Sequence, residues 1–416
     1  MYKSLSFFLS VLLHSNVLIA QDTLRVTLEQ ADSLFLSNNL PLLAASMRIE
    51  EQKAKLIQSR IYPNPVFTAD FNAYDPENQR AFHAGTSGQK AMQLEQLILL
   101  GGKRKAAIQL ASTDVALAEI EFQGLLHQLK FRLHSDLFST GQLQALLQRY
   151  NEQLTLLEAL LTSYENQVEK GNLPLKDVVR LKGAYLKLNN DRAELLKEYF
   201  QTQSALQTML HTTSIVVFQY TERDIEKYIQ VMSLEELKEI ALQNRPELLL
   251  METNTSLAEN YLHYQKSMAI PDITLFTSYD QRGGAFNNQI NAGLSIALPL
   301  WNRNQGNIKA AGFYVEEARY NLKAAQLEAL NELQNAFFLY NQTVSEYKKA
   351  KSLYNEDVET TLKGITDNFL KRNISIIEFI DFFEAYNEMS TELTRIKIQL
   401  VISGEQLNHL SGKELY

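Results

Sequence analysis

Two patterns of apolar positions organise this chain, and each occurs twice. Beyond Lys103, apolar residues recur at Ala111, Val115, Ala118, Phe122, Leu125 and Leu129, in steps of four and three. The stripe resumes at Leu143, Leu146, Tyr150, Leu154, Leu157, Leu161, Tyr164 and Val168. Sustained 3.5-residue spacing marks a helix in a left-handed supercoil. No proline interrupts the run, so one helix is predicted from about Lys103 to Lys170, roughly 100 Å long at the usual helical rise. The same stripe returns at Ala311, Val315, Ala318, Leu322, Ala325 and Ala329. Ile108 matches Ile308, Leu133 matches Leu333 and Phe138 matches Phe338, which makes the chain a tandem duplication with a second long rod.

The second pattern alternates with period two. Val66 to Tyr74 places Phe67, Ala69, Phe71 and Ala73 on one face and Thr68, Asp70 and Asn72 on the other. Asp272 to Tyr279 and Ile290 to Leu298 alternate likewise, and Lys90 to Leu99 does so less cleanly. Four strands are therefore predicted. Loops with turn residues join them in pairs: Asp75 to Gln89, with Gly85 and Gly88, and Gln281 to Asn288, with Gly283 and Gly284. Aromatic residues at strand ends (Tyr62, Tyr74, Tyr279 and the single Trp301) favour strands at a membrane interface over amphipathic hairpins packed on a soluble core. Strands with one apolar and one polar face suit a membrane barrel with a wet interior. Four cannot close a barrel alone, so closure would need further copies of the chain.

Each half opens with capped short helices. Thr27 and Ser233 precede acidic first turns, and Pro41 and Pro246 mark joints at which a second helix starts, ending near Arg60 and Met268. After each rod comes a sharp turn, Lys170 to Val178 in the first half and Lys371 to Phe379 in the second. Return helices then run to about Leu210 and Leu410, and Ser214 to Tyr220 reads as a short strand. The organisation read from these signals is a leader at 1–20, a first repeat at 21–212, a connector at 213–232 and a second repeat at 233–416. Lys3, the apolar run Phe7 to Leu13 and Leu18-Ile-Ala20 give residues 1–20 the look of a secretory signal.

Composition narrows the class. The 416 residues carry a formal charge of −8 and no cysteine, with only 16 glycines and 8 prolines, which fits long helices and disfavours nucleic acid as a partner. Gly101-Gly-Lys103 lacks the remainder of a phosphate loop, and no cofactor is implied. His127 and His134 lie two turns apart on one helix with no third ligand near in sequence, so they read as surface or packing residues, with no metal site. No catalytic constellation stands out, and an enzyme is not expected.

Taken in order, Pro63-Asn-Pro65, Leu97-Ile-Leu-Leu-Gly-Gly-Lys-Arg104, Leu298-Pro-Leu-Trp-Asn-Arg303 and Ala310-Ala311 on a duplicated plan resemble the outer-membrane efflux proteins, the TolC-like exit ducts. Asn-Pro-Val before the strand and Gly-Gly-Lys-Arg before the rod look most like the heavy-metal efflux branch, although Leu100 stands where that branch commonly has an acidic residue. The resemblance implies a mainly α protein with a membrane β-barrel. Four strands per chain would close into a twelve-stranded barrel as a homotrimer in the outer membrane, and the duplicated long helices would form an α-barrel across the periplasm. The first short helix of each half would stack on its return helix, and Ser214 to Met232 with the chain termini would form a belt at the waist. The implied partners are outer-membrane lipid, a periplasmic adaptor and an inner-membrane RND-type pump, with metal cations or small toxic compounds as cargo.

The resemblance also assigns candidate roles. Gly171, Asn172, Leu173, Arg372, Asn373 and Ile374 form the tips that would meet the adaptor. Glu378, Asp381, Asp177 and Phe369 are the pore-gate candidates, the carboxylates as a ring that favours cations. The plainer reading of Glu378 and Asp381 is a favourable interaction with a helix N-terminus. The family's tip tyrosine and arginine fall on Phe369 and Ile374, so the family's usual closing bonds are not expected and a looser or a purely apolar latch would take their place. A type I protein-secretion duct and a soluble periplasmic coiled-coil adaptor or scaffold are the alternative functions.

Overall fold

The computed structural model describes residues 22–230, 232–282, 286–354 and 356–416. The leader expected at 1–20 and the Gly283-Gly284 turn lie outside the described residues. The first half comprises β1 (Thr23–Val26), α1 (Leu28–Asn38), α2 (Leu40–Ser59), β2 (Val66–Phe71), a small hairpin of β3 (Tyr74–Asp75) and β4 (Arg80–Ala81), β5 (Lys90–Ile98), α3 (Lys103–Glu169) and α4 (Leu175–Leu210). The connector holds β6 (Ile215–Phe218), α5 (Glu222–Glu226) and a single 3-10 turn, Lys227–Ile229. The second half comprises α6 (Leu234–Asn244), α7 (Pro246–Met268), β7 (Ile273–Gln281), β8 (Gln289–Ile296), α8 (Gln305–Leu353), α9 (Glu356–Leu370) and α10 (Ile376–Ser411).

Local chemistry explains most boundaries. Thr27 and Ser233 each close a capping box, with Gln30 and Glu236 reaching back to the cap. Asn39 and Arg245 sit at the joints before Pro41 and Pro246 in extended conformation, so each pair of short helices is bent there rather than continuous. The short helices stack on the return helices as the resemblance implies: Asn39 Nδ2 donates to the Met209 carbonyl at 3.1 Å, and α6 packs on α10.

The 67-residue α3 matches the expected rod, but its counterpart does not. The second rod breaks after Leu353, where Tyr354 leaves the helical region at φ −97° and ψ 83°. Its ring is held from outside the helix, with the hydroxyl 3.4 Å from Arg149 Nη1 and 3.3 Å from Ser390 Oγ. The residue-by-residue match also slips along the rod. Leu133 and Leu333 are both fully buried, whereas Phe138 is 1% exposed and Phe338 is 56% exposed. Tyr340, with its hydroxyl on the carbonyls of Tyr228 and Gln230, fills the core instead.

A waist core joins both halves. Leu133, Leu137, Phe138, Leu333, Tyr340 and Leu400 pack there against Val216 and Tyr228 of the connector. The connector strand pairs in parallel with β1, a strand the sequence reading missed. Tyr416 lies against Tyr228 and Tyr340, so both ends of the described chain fasten to the belt. A second core nearer the tips is built from Leu157, Leu181, Phe369, Phe379 and Phe383.

Candidate channel sheet, tips and waist network

The four longer strands form one antiparallel sheet in the order β2-β5-β7-β8, so the outer edges of β2 and β8 are unpaired within the chain. Residues opposite one another across a ladder share a face. One face carries the rows Phe67-Leu94-Thr277-Ala292 and Ala69-Met92-Tyr279-Ile290, together with Leu275 and Leu294. The other carries Thr68-Gln93-Ser278-Asn291 and Asp70-Ala91-Asp280-Gln289, with Glu95 beside Phe276. Gly293 lies under the ring of Phe276, and a β-carbon there would stand 2.6 Å from it. Ile290 is 76% exposed and Leu294 63%, so the apolar face is bare in the single chain. The first strand is shorter than expected, since β2 stops at Phe71 and Tyr74 belongs to the loop hairpin, whereas β7 runs on to Gln281.

The glycine-lysine-arginine motif is the hinge between sheet and rod. Gly101 and Gly102 take φ +67° and +75°, a region that favours glycine, and turn β5 into α3. Lys103, almost fully buried, pairs with Asp272 at 2.7 Å, and the same carboxylate accepts the Leu100 amide at 2.9 Å. Arg104 Nη2 donates to the Arg60 carbonyl at 2.6 Å and its guanidinium lies 4.2 Å from the Tyr62 ring centre. The motif thus ties three chain segments together where strands become helices. Trp301, 85% exposed, lies beyond β8 near the same junction, whereas Tyr74 and Tyr279 stand toward the loop end.

The loop end holds an arrangement that sequence reading did not find. His83 Nδ1 lies 2.6 Å from Asp75 Oδ2, and its Nε2 lies 3.0 Å from Ser87 Oγ. The His83 and Asn78 hydrogen bonds hold the Asp75 carboxyl well below the usual range. The order of groups is that of a hydrolase triad, but the backbone around the serine is committed elsewhere. The Gly88 amide donates to Gly85, and Arg282 Nη1 donates to the Ser87 carbonyl at 2.6 Å. An oxyanion needs free donors at that place. The linkage therefore locks the loop between β2 and β5.

The two tips repeat one another bond for bond. Asn172 donates from its amide to Gln167 O and from Nδ2 to Gln167 Oε1, both at 2.8 Å. Asn373 does the same to Asn368, at 2.8 and 3.0 Å. Gly171 at φ +74° has its equivalent in Arg372 at φ +63°. Leu173 and Ile374 follow, both half-buried. The candidates beside the turns differ in setting. Glu378 is the third residue of a capping box, accepting the Ser375 amide at 2.7 Å, and the Ser375 hydrogen bonds lower its pKa. Asp381 is exposed one turn on, and Asp177 is half-buried in the first turn of α4. Phe369 is 2% exposed and lies inside the chain, stacked on Phe379 at 4.3 Å and on Tyr164 at 5.6 Å. It fastens the end of the first rod to the second tip.

At the waist, His134 is buried and charged, not a surface residue. Its Nε2 lies 2.9 Å from Asp32 and its Nδ1 lies 3.1 Å from Glu405, which also accepts from Tyr228. Burial opposes the imidazolium, but the hydrogen bonds and charges of both carboxylates outweigh it and raise its pKa to about 9. The partners are 102 and 271 positions from His134, so local spacing could not have revealed them.

The two-faced antiparallel sheet with open edges, hinged onto a rod of 67 residues, is the arrangement that strands closing a membrane barrel with further copies would need. The family model described as outer membrane efflux protein matches residues 237–362. The cobalt-zinc-cadmium resistance protein CzcC of Cupriavidus metallidurans is 23% identical over 310 residues, 74% of this chain and 71% of CzcC. Among solved structures, CusC superposes with a TM-score of 0.75 at 17% identity, covering 93% of this chain and 92% of its own. The CmeC outer membrane channel of Campylobacter jejuni superposes with a TM-score of 0.74 at 14% identity, covering 94% and 87%. The chain thus shares the fold of these outer-membrane channels, and part of its second half matches the outer membrane efflux family model.

Proposed function

We propose that this chain is the outer-membrane exit duct of a tripartite efflux system, a passive channel through which a separate pump drives its cargo. The observation that carries the reading is the open-edged sheet. A bilayer tolerates no unpaired strand edge, so β2 and β8 must pair with strands of other copies. Three copies give a twelve-stranded barrel, a size that leaves a lumen. Trp301, Tyr74 and Tyr279 would then lie at the two interfaces, and the helices would continue the tube into the periplasm. The tips at Gly171 to Leu173 and Arg372 to Ile374 would meet a periplasmic adaptor, with an RND-type pump beyond it.

Metal cations are the favoured cargo. CzcC is by name a metal resistance protein, and the polar face of the sheet bears Asp70, Glu95 and Asp280, which would line the lumen and favour cations. Mass measurement of the detergent-purified protein tests the assembly, and a folded monomer would refute it. A deletion strain challenged with zinc, cobalt and cadmium tests the cargo, with increased sensitivity expected and unchanged tolerance counting against metal efflux.

A further inference from the structure

Between the return helices lies a groove of about 440 Å³ whose walls are acidic at every turn. Asp191, Glu194 and Glu198 of α4 face Glu384, Glu388 and Glu392 of α10 across it. Lys187 pairs with Glu384 at 3.3 Å and Arg395 with Glu392 at 2.8 Å. Among the described residues Glu194, Glu198 and Glu388 have no ion-pair partner. Like charges so placed repel one another unless a cation enters. A second feature points to a ligand. Asn387 lines the groove, is 8% exposed, and its Oδ1 has no hydrogen-bond partner. A buried carbonyl oxygen without a donor is costly.

The dimensions decide which cation fits. Among the described residues no group of three or more acidic or histidine side chains converges tightly enough to hold a metal ion. The carboxylates are instead spread along the helices, Glu384, Glu388 and Glu392 repeating every four residues, or about 6 Å. A linear polyamine with three- or four-carbon spacers places successive nitrogens about 5–6 Å apart. Its methylenes would lie on the buried side chains of Ala184, Leu188 and Phe383 between the walls. We propose that this groove binds a linear polyamine, its ammonium groups paired with the two carboxylate rows and one of them donating to Asn387 Oδ1. Burial raises the pKa of Asp191, with Glu194 and Glu384 adding to the rise against Lys187, as expected of a site that lacks its counter-charge.

The groove belongs to one chain, so the proposal does not rest on the channel reading. The test is calorimetric titration of the full-length protein in detergent with spermine at low ionic strength. Magnesium at matched ionic strength and a lysine-rich helical peptide serve as competing probes. One spermine per chain is expected, with Kd raised about tenfold or more in the Glu194→Gln/Glu388→Gln double variant and severalfold in Asn387→Leu. Circular dichroism melts without spermine verify folding, and Glu198→Gln serves as a further variant on the exposed wall. Absence of spermine binding, displacement by magnesium at matched ionic strength, or a Kd unchanged in these variants would overturn the assignment. So would binding of the peptide without binding of spermine, which would make the occupant a protein.

Discussion

Raising the pH through 9 should remove the charge that joins three segments at the waist. His134 titrates near 9 in the folded chain, against an ordinary value of 6.5. A folded pKa above the unfolded one contributes stability that is complete below the unfolded value and is lost as pH rises through the folded one. For these two values the contribution is about 2.5 kcal/mol at pH 7 and close to zero at pH 10. Up to pH 9 this group dominates, whereas toward pH 10 the tyrosines whose pKa burial raises, such as Tyr220 and Tyr347, also lose stability as the unfolded chain ionises. Burial raises Asp136 only to about 6, and Asp32 and Glu405, burial notwithstanding, are held low by His134 and stay ionised throughout. His134→Gln leaves buried Glu405 without its cation and Asp32 with Lys130 alone, 3.6 Å away, which should cost about 3–5 kcal/mol and abolish the slope below pH 9. The assay is the thermal midpoint in detergent at fixed scan rate, from pH 7 to 9, where His134 gives up most of its contribution before tyrosine ionisation begins. A wild-type midpoint that stays flat, or a slope that survives in the variant, would refute the charged-histidine reading.

Three further outcomes are expected. Arg372→Gly removes a side chain from a left-handed position and should stabilise the protein by about 0.5–1 kcal/mol; a lower melting temperature would mean that the arginine side chain outweighs the strain. Gly101→Ala adds a β-carbon 2.7 Å from Ile270 at a left-handed φ and should cost about 1–3 kcal/mol, seen as a reduced yield of folded protein; wild-type yield and melting would show that the hinge yields freely. Asp381→Asn should weaken cation selectivity in planar bilayers more than Glu378→Gln does, and equal or absent effects of the two would remove Asp381 from the gate.

What could be read from sequence was whatever is encoded locally. The capping boxes at Thr27 and Ser233, the joints before Pro41 and Pro246, and the period-two faces of β7 and β8 each depend on residues a few positions apart. The features that were missed depend on distant partners. Four residues at Thr23–Val26 form a strand because β6 offers them an edge. Tyr354 breaks a helix with neither proline nor glycine, where its hydroxyl meets Arg149 on α3 and Ser390 on α10. His134 acquires its charge from α1 and α10. The Asp75-His83-Ser87 linkage lies within 13 positions yet went unread, because the hairpin that folds Asp75 back onto His83 is two residues per strand, too short for any alternation to show.

The duplication itself indicates where charge is free to act at the tips. The backbone bonds of the two turns coincide, so the differences lie in side chains. The second tip begins its helix with Ser375, and Glu378 is bound back to that cap. The first begins with Pro174, which offers no side-chain cap, so Asp177 at the equivalent position is not engaged in that way. Asp177 is close enough to Tyr164 to help raise its pKa, after burial and against Arg372. Tyr164 in turn stacks on Phe369 at the end of the other rod. On the channel reading, the carboxylates available to a gate are therefore Asp177, next to the aromatic stack that joins the tips, and Asp381. Glu378 serves mainly its own helix. Phe369, enclosed between Tyr164 and Phe379, joins the end of one rod to the other tip from within the chain, and on the channel reading any part it plays in a gate is through that packing.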